Sequence, residues 1–271
     1  MLRKLFRYDF KAIARTQVPA LFALLCITVI GCLNAGVLCV SASHDAGLLA
    51  MLSASGFVLT VTTFAGIIMV MSLLIYVRFY KSMVTAEAYT TFTLPAKPSQ
   101  ILTAKFLSAI VWNAVIMAAY IAAVLLLALT MAACIDSTGF AEVTDEIRKI
   151  GRTLGITGGT VILFVLSAAI SSASQILQIF TAILTGASLV RRHKALAAVG
   201  MIFVINFAVN LAGSAFGFVS GNALATSAAA VTQLGTTLTA MLLPQTVLYA
   251  VIAVVCWLVC VWVMRNKVNL E

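Results

Sequence analysis

The chain reads as an all-α integral membrane protein with six transmembrane helices, and three observations carry that reading. It has 271 residues, of which 63% are hydrophobic and only 9% charged, where a soluble domain carries about 25% charge. Its apolar residues gather into six runs, each matching the span of about 20 residues that crosses a bilayer. The remaining charges sort by side. With the N-terminus inside, 14 of the 17 Lys and Arg fall in cytoplasmic segments, and only Arg148, Lys149 and Arg152 fall outside. Five of the eight acids (Asp45, Asp136, Glu142, Asp145, Glu146) fall on the outer side. The Lys and Arg bias sets orientation, so both termini are expected in the cytoplasm.

Residues 1–17 form the first element. On a helical wheel Leu2, Leu5, Phe6, Phe10 and Ile13 share one face, and Arg3, Lys4, Arg7, Lys11 and Arg15 share the other. That division predicts an amphipathic helix in the inner interface, with Pro19 marking the turn into the bilayer. Asp9 falls near the apolar face, and the pattern offers no account of it. One transmembrane domain, 18–271, follows, with spans near 18–40, 54–77, 106–131, 157–188, 195–217 and 240–264. The first run, Val18 to Val40, exceeds the apolar core of about 7–15 residues that a signal peptide carries, which predicts a retained span. The outer loop 132–156 mixes acids with Arg148, Lys149 and Arg152, a pattern suited to a short surface helix with local ion pairs. From Ala195 to Met264 there are 70 residues without Asp, Glu, Lys or Arg. Two spans take up only part of them, so the weakly polar stretch 220–239 is expected to be a re-entrant or interfacial helical piece on the outer side.

Composition also excludes several functions. The net charge of +9 sits at span ends, where it holds topology and meets anionic inner-leaflet lipid rather than nucleic acid. Cys26, Cys32, Cys39, Cys134, Cys256 and Cys260 lie in or beside apolar runs without zinc or redox spacing, and read as small buried hydrophobes. No metal site is expected. No Asp, Glu, Lys, Arg or His falls inside the expected spans, which weighs against a proton-driven carrier, although unwound backbone can still hold sodium. Without a Gly-Lys dipeptide there is no P-loop, and no hydrolase motif appears. The chain is therefore expected to be no enzyme and to hold no cofactor of its own.

Polar residues within the spans are patterned. Ser167, Ser171, Ser174 and Gln178 follow i, i+4, i+7, i+11 on one helical face, and Asn206 and Asn210 lie one turn apart. Such faces either line a translocation path or join helices in lipid. Both readings stay open. An uncharged interior suits amphipathic molecules, peptides or lipid-like cargo better than ions.

The most distinctive segment is 78–105, polar, aromatic and placed inside: Arg78-Phe79-Tyr80-Lys81, then Glu87-Ala88-Tyr89, then Thr93-Leu94-Pro95, then Lys105 ahead of a span containing Trp112. Leu94-Pro95 and Pro98 break a preceding helix, and Ser99 is a candidate N-cap for the next. A short helix over about 82–92, held at the inner surface by basic ends, would present a knob to a cytoplasmic partner. This stretch resembles permease subunits of type-two bacterial ATP-binding-cassette (ABC) exporters. The basic amphipathic start, the six spans and the basic C-terminal tail extend the resemblance over most of the chain, but only 78–105 is motif-like. Ala88 stands where members usually carry Gly.

The resemblance implies a separate cytoplasmic ABC ATPase, holding ATP and Mg, whose cleft grips the loop after the second span. It also implies a second permease copy or homologous permease as partner, in the bacterial cell membrane. Tyr80, Glu87, Tyr89, Phe92, Leu94 and Pro95 are the expected coupling residues, with Glu87, the only acid in the loop, reaching a basic group of the ATPase. Two other classes fit the same composition. One is an ion-coupled carrier using the Asn and Ser faces, and the other a scaffold or sensor that recruits a soluble partner through the loop.

Overall fold

Where water is absent, a backbone must satisfy its own hydrogen bonds, and long apolar runs of Leu, Ala, Val and Ile do so as helices. The computed structural model describes residues 2–43, 47–85, 87, 97–134, 145, 148–149, 158–190, 193–226 and 234–266. Among them there are six long α-helices and no strand: α1 Leu2–Ser43, α2 Gly47–Val84, α3 Pro98–Cys134, α4 Gly158–Leu189, α5 Lys194–Thr226 and α6 Leu234–Asn266. Each holds a stretch long and apolar enough to cross a membrane. The all-helical expectation and all six expected spans correspond to these helices.

Three boundaries differ from the expectation. First, no turn occurs at Pro19: α1 is one helix of 42 residues with the proline inside it. A proline removes a single intrahelical donor, and the long helical stretches on either side outweigh that loss in an apolar setting. At 1.5 Å per residue α1 is about 63 Å long, roughly twice the hydrocarbon thickness. Second, α2 continues through Val84, so residues 82–84 close a spanning helix rather than open a separate one. Third, α5 and α6 take up 220–226 and 234–239. Residues 227–233, and most of the loop 132–156, lie outside the described residues.

The chain divides into two compact units. One comprises 6–77 and 111–148. Its core joins Leu24 of α1, Phe64 of α2 and Ala123 and Leu127 of α3, flanked by Ile27, Cys32, Ile67 and Ala119. Gln17 is fully buried there, its side-chain N–H donating to the Met71 carbonyl at 2.8 Å. Trp112 stacks on Phe10 with ring centroids 5.1 Å apart, and its indole N–H donates to the Phe10 carbonyl at 3.2 Å. The basic side chains of α1 from Arg3 to Arg15 are exposed, while Ile13 and Asp9 are buried.

Close approach of α1 to α2 depends on Gly31. A Cβ there would lie 2.7 Å from Thr60 Cγ2 and 3.0 Å from Leu127 Cδ2, whereas one on Gly36 would meet nothing within 4 Å. Gly31→Ala is therefore expected to lower stability by about 1–2 kcal/mol through overpacking. Gly36→Ala should be neutral or stabilising by up to about 1 kcal/mol through helix propensity. Melting curves of the two variants in one detergent compare them, and equal behaviour would exclude this contact.

The other unit comprises 1–5, 78–110 and 149–271. Here α4 packs along α6 and α5, and α5 also touches α6. The burial of α4 is uneven: Ser174, Ile176–Leu184 and Gly186 are buried, and none of 158–173 is. Outward faces of α5 and α6 carry large apolar side chains, with Phe203 and Phe207 each more than two-thirds exposed. That is the surface expected of helices whose solvent is lipid.

Candidate functional site

Two helix ends flank the cytoplasmic-type segment that follows α2, and both belong to the second unit described above. Helical spacing puts Phe79, Ser82 and Met83 on one buried face of α2, and Ile101, Leu102 and Lys105 on one buried face of α3. Lys105 is only 7% exposed. Its ammonium donates to Ser82 Oγ at 2.9 Å, and Ser82 Oγ donates in turn to the Phe79 carbonyl at 3.0 Å. Burying an ammonium costs several kcal/mol unless its donors are engaged. The Lys105–Ser82 bond meets part of that cost and ties the root of α3 to the end of α2.

α3 begins differently from the expectation. Ser99 lies inside the helix rather than capping it. Pro98 takes the first helical position, where its missing N–H costs nothing. The Gln100 side chain reaches back to accept from the Lys97 N–H at 3.4 Å, as in half of a capping box.

Glu87, expected to seek a basic group on a partner, meets one in its own chain. Its carboxylate lies 3.2 Å from the Arg78 guanidinium, with the Glu87 side chain about half exposed. An ion pair of that exposure stabilises by about 0–1 kcal/mol, weak enough for a competing cation to exchange with. Arg78 Nε is buried without a hydrogen-bond partner. Tyr80 is half-buried on α2. Tyr89, Phe92, Leu94 and Pro95 lie outside the described residues.

From this neck a buried path leads into the bundle. The rings of Phe79 and Phe180 lie nearly parallel, 5° apart, with centroids separated by 3.6 Å. Phe180 belongs to α4 and is almost wholly buried. One residue on, Thr181 Oγ1 sits 2.7 Å from the Leu177 carbonyl, 3.2 Å from the Cys256 carbonyl and 3.1 Å from Cys260 Sγ. A single hydroxyl thus bridges α4 to α6. Phe106 of α3 and Trp257 of α6 meet edge to face at 5.9 Å.

The structure separates the six patterned polar residues into two groups. Ser174 and Gln178 are buried in the helix contact, Gln178 donating to Ser174 Oγ at 3.0 Å. Ser167 and Ser171 donate back to the Phe164 and Ala168 carbonyls at 2.8 and 3.1 Å. Asn206 and Asn210 do the same to Ile202 and Asn206, at 2.9 and 2.8 Å. At 174 and 178 the side chains are buried, and the bond between them lies within α4. Sequence reasoning missed Thr181, although it continues the same face three residues past Gln178. It also passed over Ser82 and Gln17, single polar residues without periodic partners.

Among the described residues no three His, Cys, Asp or Glu side chains converge as metal ligands would. The buried polar groups here are amide, hydroxyl and ammonium, chemistry that holds and orients helices. Compared with protein-family models, curated proteins and solved structures, the chain matches none.

Proposed function

We propose that the chain is the permease subunit of a type-two bacterial ABC exporter, a multi-pass protein of the cell membrane with both termini cytoplasmic. A separate ATPase subunit, holding ATP and Mg, docks on loop 78–105, and a second permease copy or a homologous permease completes the path. The six apolar helices and the inward bias of Lys and Arg support the topology. The resemblance of 78–105 to the coupling segment of such permeases carries the functional assignment. The tied roots of that loop suit it to transmit force, since a loop that moved freely at its base could not displace helices. The exposed basic face of residues 3–15 suits contact with anionic lipid at the inner surface. The cargo in this reading is amphipathic, peptide or lipid-like.

Glu87 and its neighbours Tyr89 and Phe92 make the contact with the ATPase. Glu87→Ala is expected to reduce transport-coupled ATP hydrolysis about tenfold while leaving assembly intact, because the exposed pair with Arg78 adds under about 1 kcal/mol to the fold. Unchanged coupling would remove Glu87 from the contact.

Purification in mild detergent, mass spectrometry of co-eluting proteins and an ATPase assay test the assignment as a whole. A soluble P-loop protein that co-elutes, and detaches when 86–96 are replaced by a Gly-Ser linker, is the expected result. A chain that elutes alone, without ATPase activity after reconstitution, would overturn the assignment and favour an ion-coupled carrier.

A further inference from the structure

Burial, hydrogen bonding and ring stacking join the loop's two roots to α6 without a gap. Lys105 holds Ser82, which lies on the same α2 turn as Phe79. Phe79 lies flat on Phe180. The next residue of α4, Thr181, holds the Cys256–Cys260 turn of α6. Every one of these residues belongs to one compact unit. A packed core changes between discrete arrangements rather than deforming continuously, so a displacement at one end of such a chain is felt at the other.

We propose that Lys105 is a positioning residue for energy coupling: its ammonium on Ser82 locks the two loop roots together, so that movement of the loop shifts the Phe79–Phe180 stack and opens the Thr181–Cys256–Cys260 contact between α4 and α6. The inference rests on the ABC-permease reading. Its physical motive is the choice of residue. A buried ammonium is an expensive way to join two helices, since apolar side chains in place of both partners of such a contact are often neutral or stabilising. A lysine at this place supplies a directional bond to Ser82 Oγ, which a methionine cannot do. An apolar contact would let the roots slide, and the ammonium–hydroxyl bond does not.

Cys256 and Cys260 are native reporters of the far end, since both are buried against α4. The experiment uses the full chain with its co-eluting ATPase in lipid nanodiscs, the other four cysteines changed to serine. The rate at which N-ethylmaleimide labels the two thiols is measured with and without a non-hydrolysable ATP analogue and Mg. Nucleotide is expected to change that rate about tenfold, within the range of an ordinary coupling free energy. In Lys105→Met and in Ser82→Ala the change should fall below about twofold with the ATPase still bound, and the double variant should be no worse than either single one. Ser82→Ala, a small substitution, keeps the test decisive if Lys105→Met fails to fold. A nucleotide response that survives both substitutions overturns the role of Lys105. No response in the parent complex overturns the route, while the bound ATPase leaves the permease reading standing. If no P-loop protein co-elutes, the permease reading itself falls and takes this inference with it.

Discussion

Gly186→Leu is expected to separate α5 from α4 and to prevent recovery of a monodisperse protein. A Cβ at position 186 would sit 2.6 Å from the Ala198 Cα and 2.7 Å from the Ala197 carbonyl oxygen. Both are backbone atoms, so no rotamer change relieves the clash, and the helices themselves must part. Overpacking of a core costs about 1–3 kcal/mol when side chains can adjust; with backbone against backbone, about 3 kcal/mol or more is expected. Small residues at such crossings are what allow helices to pack in lipid, where no hydrophobic force drives them together. Gly200→Leu on α5 is the matched control, because a Cβ there meets nothing within 4 Å. Size-exclusion melting curves should show the first variant aggregated or strongly shifted and the second near the parent. Two superimposable curves would refute the close approach.

Phe180→Ala should be the next most damaging change. The ring is almost wholly buried and faces Phe79 across a nearly parallel stack. Truncation leaves a void lined by neighbours that are each anchored elsewhere. Phe79 is fixed on a turn bonded by Ser82, and Thr181 is bonded across to α6. A site that cannot collapse incurs the full cavity cost, so about 3 kcal/mol is expected. Phe180→Leu, which refills most of the volume, should recover more than half of it. A loss below about 1 kcal/mol for alanine would mean that the stack is dispensable to the fold.

Much of the architecture was legible before any coordinates, for a simple reason. Lipid imposes a single rule on every span, a run of apolar residues about 20 long, and six such runs lie between Val18 and Met264. Helix ends were less legible. Pro19 reads as a break in water-based reasoning, yet α1 passes through it, since an apolar helix of that length tolerates one missing bond. Ser99 has the chemistry of a cap, but Pro98 starts the helix one residue earlier. At the candidate site, the Ser174–Gln178 contact follows from spacing alone. The Lys105–Ser82 bond does not, because it joins residues on different helices and no periodicity within one segment announces it. Arg78 and Glu87 illustrate the same limit: each is visible as a charge, and only the fold makes them neighbours.

The uneven burial of α4 makes it a lever. Its C-terminal part, from Ser174 to Gly186, is clamped between α5 and α6, while 158–173 extends about 24 Å further, at 1.5 Å per residue, with no fully buried residue. Along a lever, displacement grows with distance from the clamp. A tilt of about 5° at the clamp moves the far tip by about 2 Å over that length. On the permease reading proposed above, the helix itself carries a small adjustment at Phe180 and Thr181 to its far end.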